Sequence, residues 1–94
     1  MTIRHEPLVS MFRAYDEDGT MMGEIEYVPA SDGTLAATHT LVFEAYAGQG
    51  LAGKLLDALV DYARSNGVKI KPVCSYVVSA FGKYPEKYGD VTKL

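Results

Sequence analysis

The sequence predicts an α+β fold: an antiparallel meander of strands, then a helix, a short strand and a second helix. Three observations carry this. Turn-forming clusters at 16–19 and 29–33 divide the first half into short β-branched and aromatic segments. At Gly50 the apolar period switches to three- and four-residue steps. Gly67 and Pro72 then punctuate the last third of the chain. The chain has 94 residues and is read as one domain, 1–94, since second domains rarely appear below about 150 residues.

Each element has its own cause in the sequence. "DEDG", Asp16 to Gly19, lies between a segment with Leu8, Met11, Phe12 and Tyr15 on its apolar side and one with Met22, Ile25, Tyr27 and Val28, which predicts a hairpin. After the turn "PASDG", "TLAATHTLVF" from Thr34 to Phe43 is the third strand. Leu51, Leu55, Leu56, Leu59, Tyr62 and Ala63 mark an amphipathic helix, with Lys54, Asp57, Asp61 and Arg64 on its solvated face. "SNG" ends it, Gly67 being free to take the left-handed conformation. "VKIKPVC" is a fourth strand, placed at an edge or a bulge by Pro72. Ser75 is the expected N-cap for a short helix over "SYVVSAFGKY", and Pro85 opens a last turn or two.

Composition narrows the function classes. Apolar residues make up 48% of the chain, enough for one core. The net charge of −3 does not attract a polyanion, so nucleic-acid binding is not expected. No apolar run approaches the roughly 18–20 residues that span a membrane, and Cys74 stands alone, so no internal disulfide can form. A cytoplasmic protein, a monomer or weak homodimer without a metal site, is the expectation.

Gly48, Gly50 and Gly53 spell GxGxxG. A dinucleotide fold needs an acidic residue at the end of the next strand, and that strand reads "IKPVC". An ATP-type loop needs Ser or Thr after its lysine, and Leu55 follows Lys54. What remains is physical: a strand, a glycine turn and a helix start, where unpaired N–H groups and the helix dipole favour an anion. Glycines needed only for turn geometry are the competing explanation.

"HTLVFEAYAGQGLAGKLLDALVDYARSNGVKIKPVCSYV" resembles the small GCN5-related N-acetyltransferase (GNAT)-like family, minimal single-domain acetyltransferase-like proteins. The resemblance rests on "HT" at His39–Thr40, "GQGLA" at Gly48–Ala52, "KPVCSYV" at Lys71–Val78 and "YPEKY" at Tyr84–Tyr88. It implies a GNAT-like acyl-CoA N-acyltransferase fold and acetyl-CoA, or coenzyme A, as ligand. Laid on the superfamily's pyrophosphate loop, Q/R-x-x-G-x-G/A, the chain supplies Ala47, Gly48, Gln49, Gly50, Leu51 and Ala52. Ala47 replaces the usual Arg or Gln, removing a charge-assisted contact of roughly 1.5–3 kcal/mol and giving Lys54 a larger part.

By the same resemblance, the pantetheine arm lies where the third and fourth strands splay apart, with backbone amides of Leu41, Val42 and Phe43 near the thioester carbonyl. Cys74 is the implied nucleophile, set before a helix N-terminus that favours thiolate, although a buried small hydrophobe is an equal reading. His39 is a candidate proton acceptor, histidine being suited to that role at neutral pH. It and Thr40 face opposite sides of a regular strand. Tyr76 is a candidate proton donor to the departing thiolate, and Glu44 a second possible base.

The leading expectation is an acetyl-CoA-dependent N-acetyltransferase acting on an unidentified amine, for which an exposed amine on a peptide or protein suits so short a chain. The alternative is a coenzyme A-binding module with little or no catalysis. A structural or interaction domain is the third.

Overall fold

A computed structural model describes residues 1–93. One five-stranded sheet runs in the order β1 (Thr2–Glu6), β2 (Met11–Tyr15), β3 (Met21–Pro29), β4 (Leu35–Val42), β5 (Ile70–Pro72). The first four strands are antiparallel neighbours, and β5 is parallel to β4. A parallel pair needs a crossover, supplied by α1 (Leu51–Ser65). Two shorter helices come after β5, α2 (Ser75–Lys83) and α3 (Pro85–Tyr88).

The meander and the helix–strand–helix order agree with the sequence. β1 does not: "TIRHE" forms a fourth antiparallel strand, and Leu8 leaves the predicted strand for a 3-10 turn at Pro7–Val9, where it is fully exposed. Val28 is also half-exposed rather than core. The hairpin turn forms as expected, with Gly19 at φ +83° and the Asp16 carboxylate accepting the Asp18 and Thr20 amides.

One core lies between the sheet and α1 to α3. Leu51, Leu55, Leu56, Leu59, Val60 and Ala63 of α1 meet Phe12, Ala14, Ile25, Tyr27 and Ala37 of the sheet, with Val77, Phe81 and Tyr88 closing one end. The solvated face expected for α1 is only partly solvated. Arg64 donates two hydrogen bonds to Asp90, at 2.8 and 2.9 Å, and Asp57 accepts the Tyr88 hydroxyl at 2.8 Å, so these side chains tie the C-terminal segment down. Thr92 bridges Ile70 in parallel, and β5 gains a partner along its outer edge.

The site depends on an irregularity in β4. Tyr27 pairs with Ala37 and Glu26 with His39, so Thr38 is an extra residue, a β-bulge. The bulge shifts the face parity, and Ala37 and Thr40, three positions apart, lie on the core face opposite Tyr27 and Ile25. His39 falls on the other face with Glu26.

Candidate functional site

Two features meet beside the end of β4. The first is the glycine turn. A 3-10 turn at Glu44–Tyr46 leads into Ala47, whose backbone is extended, and then Gly48 and Gly50 take φ of +79° and +72°. Both positions need glycine for their left-handed backbone, and a Cβ at either would point into open space. Gly50 is the N-cap of α1 and brings no side chain to satisfy the helix start. Lys54 is the first amide of α1 with an intrachain acceptor, the Gly50 carbonyl at 3.2 Å. The amides of Leu51, Ala52 and Gly53 donate to no protein group among the described residues. They form a cluster of unpartnered donors at the positive end of a fifteen-residue helix. Gln49 is exposed in the turn, and Lys54 is exposed one helical turn further on.

The second feature is an opening in the sheet. β5 pairs with β4 only from Leu35 to Ala37. The Ala37 carbonyl accepts from both Val73 and Cys74, at 3.2 and 2.9 Å, and the chain then turns into α2. β4 runs on to Val42 paired with β3 alone, its other edge free of β5. Alternate amides of a strand face alternate edges. The Phe43 amide donates to the Met22 carbonyl at 3.0 Å, toward β3. Leu41 has the same parity, so Thr40 and Val42 present their amides to the opening. Of the three amides expected near a carbonyl, Val42 faces the gap, whereas Leu41 and Phe43 face β3.

The side chains divide between the two faces. Thr40 and Cys74 meet on the core face, with Oγ1 and Sγ 3.4 Å apart. Cys74 is half-buried and occupies the N-cap position of α2, one residue earlier than Ser75, the expected cap; its side chain makes no capping hydrogen bond. The Tyr76 hydroxyl lies 3.6 Å from where a Cβ on Gly53 would stand, which brings α2 against the first turn of α1. Burial of that hydroxyl, with Asp57 adding a like-charge effect, pushes its pKa above the ordinary phenol value, which keeps it a proton donor. His39 stands apart on the opposite face, half-exposed, with Nε2 4.0 Å from Glu24 Oε2. Glu44 is exposed in the 3-10 turn and joins neither group.

Sequence reasoning missed Glu24 and Thr40 as neighbours of candidate side chains. The alternation of "GEIEY" carries the signal for Glu24, an acid on the face opposite Ile25. Thr40 needs the bulge, which leaves no such signal.

A helix start with unpartnered donors thus lies beside a sheet that opens at one strand pair, and such a helix start favours an anionic group. The family model for GCN5-related N-acetyltransferases matches residues 11–91. The chain belongs to that family of N-acetyltransferases. A GCN5-like protein of Staphylococcus aureus, solved by NMR, is similar at 30% identity over 98% of this chain and 87% of its own, with a TM-score of 0.77. An acetyltransferase of the GNAT family from Staphylococcus aureus Mu50 shares the fold at 16% identity and TM-score 0.66, over 88% of this chain and 55% of its own. So does the ribosomal-protein-alanine N-acetyltransferase of Brucella melitensis biovar Abortus 2308, at 24% identity and TM-score 0.55, over 82% and 59%. No curated protein matches the chain significantly.

Proposed function

We propose that the protein transfers an acetyl group from acetyl-CoA to an amine. The observation that carries this reading is the set of unpartnered amides at Leu51, Ala52 and Gly53 behind two left-handed glycines. Side chains at Gly48 and Gly50 would occupy the space a diphosphate needs. Ala47, Gly48, Gln49 and Gly50 line the turn, and Lys54 adds the charge that Ala47 lacks.

The opening beyond Ala37 takes the pantetheine arm, with the Val42 amide directed at the thioester carbonyl. Cys74 lies on the core face of the sheet and His39 on the other, and this divides the work. On the core side the Cys74 thiolate, its proton given to water, attacks the carbonyl carbon; the bond to the coenzyme sulfur breaks, and Tyr76 protonates the leaving thiolate. On the open side a neutral amine attacks the acetyl-Cys74 carbonyl, His39 takes the amine proton, and Cys74 leaves as thiolate. Solvent restores Tyr76 and His39, so the net products are the amide and coenzyme A.

Mass spectrometry of the intact protein after exposure to acetyl-CoA tests this. One added acetyl group, absent in Cys74→Ala, is expected, as is thiol release that depends on amine. Thermal stabilisation by coenzyme A without thiol release across an amine panel would favour the binding-module reading. Lys54→Ala is expected to weaken coenzyme A binding by about ten-fold, the loss of one charge-assisted contact.

A further inference from the structure

The open face of the sheet carries a chain of charged side chains that the helices do not cover. Tyr15 donates to Glu6, and Arg13 Nη1 to Glu6 Oε1 at 2.9 Å. Arg13 Nε donates to Glu24 Oε1 at 3.1 Å. The other oxygen of Glu24 lies 4.0 Å from His39 Nε2. The Glu24 side chain is only 12% exposed, whereas that of His39 is 49% exposed. The Arg13 contact therefore fixes the carboxylate and leaves the imidazole free to settle against it. A fixed, charged acceptor facing one ring nitrogen selects the tautomer of the ring.

We propose that Glu24 is a positioning residue for His39. Its carboxylate holds the proton on Nε2 and leaves the Nδ1 lone pair free to take the proton of the attacking amine. Glu24 then balances the imidazolium that forms. This rests on the proposed transfer, in which His39 receives that proton. The groups facing His39 are few. Glu24 and its cross-strand neighbour Glu26 come from β3, with Glu26 Oε1 already engaged by the Thr38 hydroxyl at 2.8 Å. Arg13 stands behind Glu24 on β2. Of the two acids, only Glu24 has an oxygen within 4.0 Å of an imidazole nitrogen.

The test reads the free protein first. A long-range ¹H–¹⁵N spectrum of the His39 imidazole, taken with the ring neutral, is expected to show Nε2–H as the main tautomer. In Glu24→Gln that preference shrinks to the smaller Nε2–H excess of an unconstrained neutral imidazole, and in Glu24→Asp, which keeps the charge, it returns in part. An unchanged tautomer in Glu24→Gln overturns the proposal. In turnover, Glu24→Gln is expected to lower kcat about ten-fold, as for a lost charged hydrogen bond, with KM for acetyl-CoA unchanged. It should add nothing on a His39→Ala background, and full additivity there also overturns the proposal. A Glu24-dependent tautomer in a protein that transfers no acetyl supports the pairing and counts against the transfer reading alone.

Discussion

Thr40 and Cys74 meet at 3.4 Å across the point where β4 and β5 part, although 34 positions separate them in the chain. The Thr38 bulge turns Thr40 to that side. Thr40→Val keeps the shape and deletes the hydroxyl. Acetylation of Cys74, monitored by an intact-mass time course, should slow by about two- to ten-fold, the range for one hydrogen bond. The melting temperature should change little. An unchanged rate would remove Thr40 from the reaction.

Gly50 holds the mouth of α1 open at φ +72°. A side chain in that conformation costs about 1–2 kcal/mol. Gly50→Ala should therefore lower the melting temperature by several degrees, roughly 4–8 °C per kcal/mol for a chain of this size. Coenzyme A affinity, measured by calorimetry, should fall further than that of Gly82→Ala, a control on the exposed side of α2 with open space at its Cβ.

Gly23 is needed for a different reason, close approach. A Cβ there would stand 2.6 Å from the Leu41 carbonyl oxygen and 3.2 Å from the Val42 Cα. Gly23→Ala must push β4 away from β3, at a cost of about 1–3 kcal/mol. Because Val42 offers its amide to the opening, turnover should fall as well as stability. Chemical denaturation and steady-state kinetics check the two effects separately.

His5 makes the fold sensitive to mild acid. Its ring stacks on Phe12 at 4.3 Å, and Nε2 lies 2.6 Å from the Tyr27 hydroxyl. Burial lowers its pKa from the ordinary 6.5. Above that value the ring is neutral both folded and unfolded. As pH falls through it the unfolded chain binds the proton first, so stability drops and then levels off below the folded-state value. Unfolding free energy should thus decline as pH falls through the ordinary value of 6.5. His5→Phe, which keeps the stacking, should flatten that slope. Glu6 and Asp16 act lower, since their pKa values are depressed from 4.5 and 3.8 by hydrogen bonds from Tyr15 and Tyr46.

The meander, α1 and the glycine turn are legible in the sequence because each has a strong local cause: turn residues, a 3.6 period, a strand–glycine–helix succession. β1 is not. In "TIRHE" only Ile3 is plainly apolar; His5 serves as its second inward residue, and Pro7 comes at once after Glu6. The faces of β4 are hidden too. One residue's slip at Thr38 reverses every side chain beyond it, and it puts Thr40 with Cys74 while sending His39 to Glu24. Arg64 reads as solvated because Asp90, its partner, lies 26 positions away.

The bare amides at the start of α1 are central, since the diphosphate of the acyl carrier is proposed to rest on them. Titration of ¹⁵N-labelled protein with coenzyme A, compared with pantetheine, tests this directly. The expected result is large, saturable shifts of the Gly48, Gly50, Leu51, Ala52 and Gly53 amides with coenzyme A, and none at those amides with pantetheine. Saturable coenzyme A binding that leaves those five amides unmoved would contradict it.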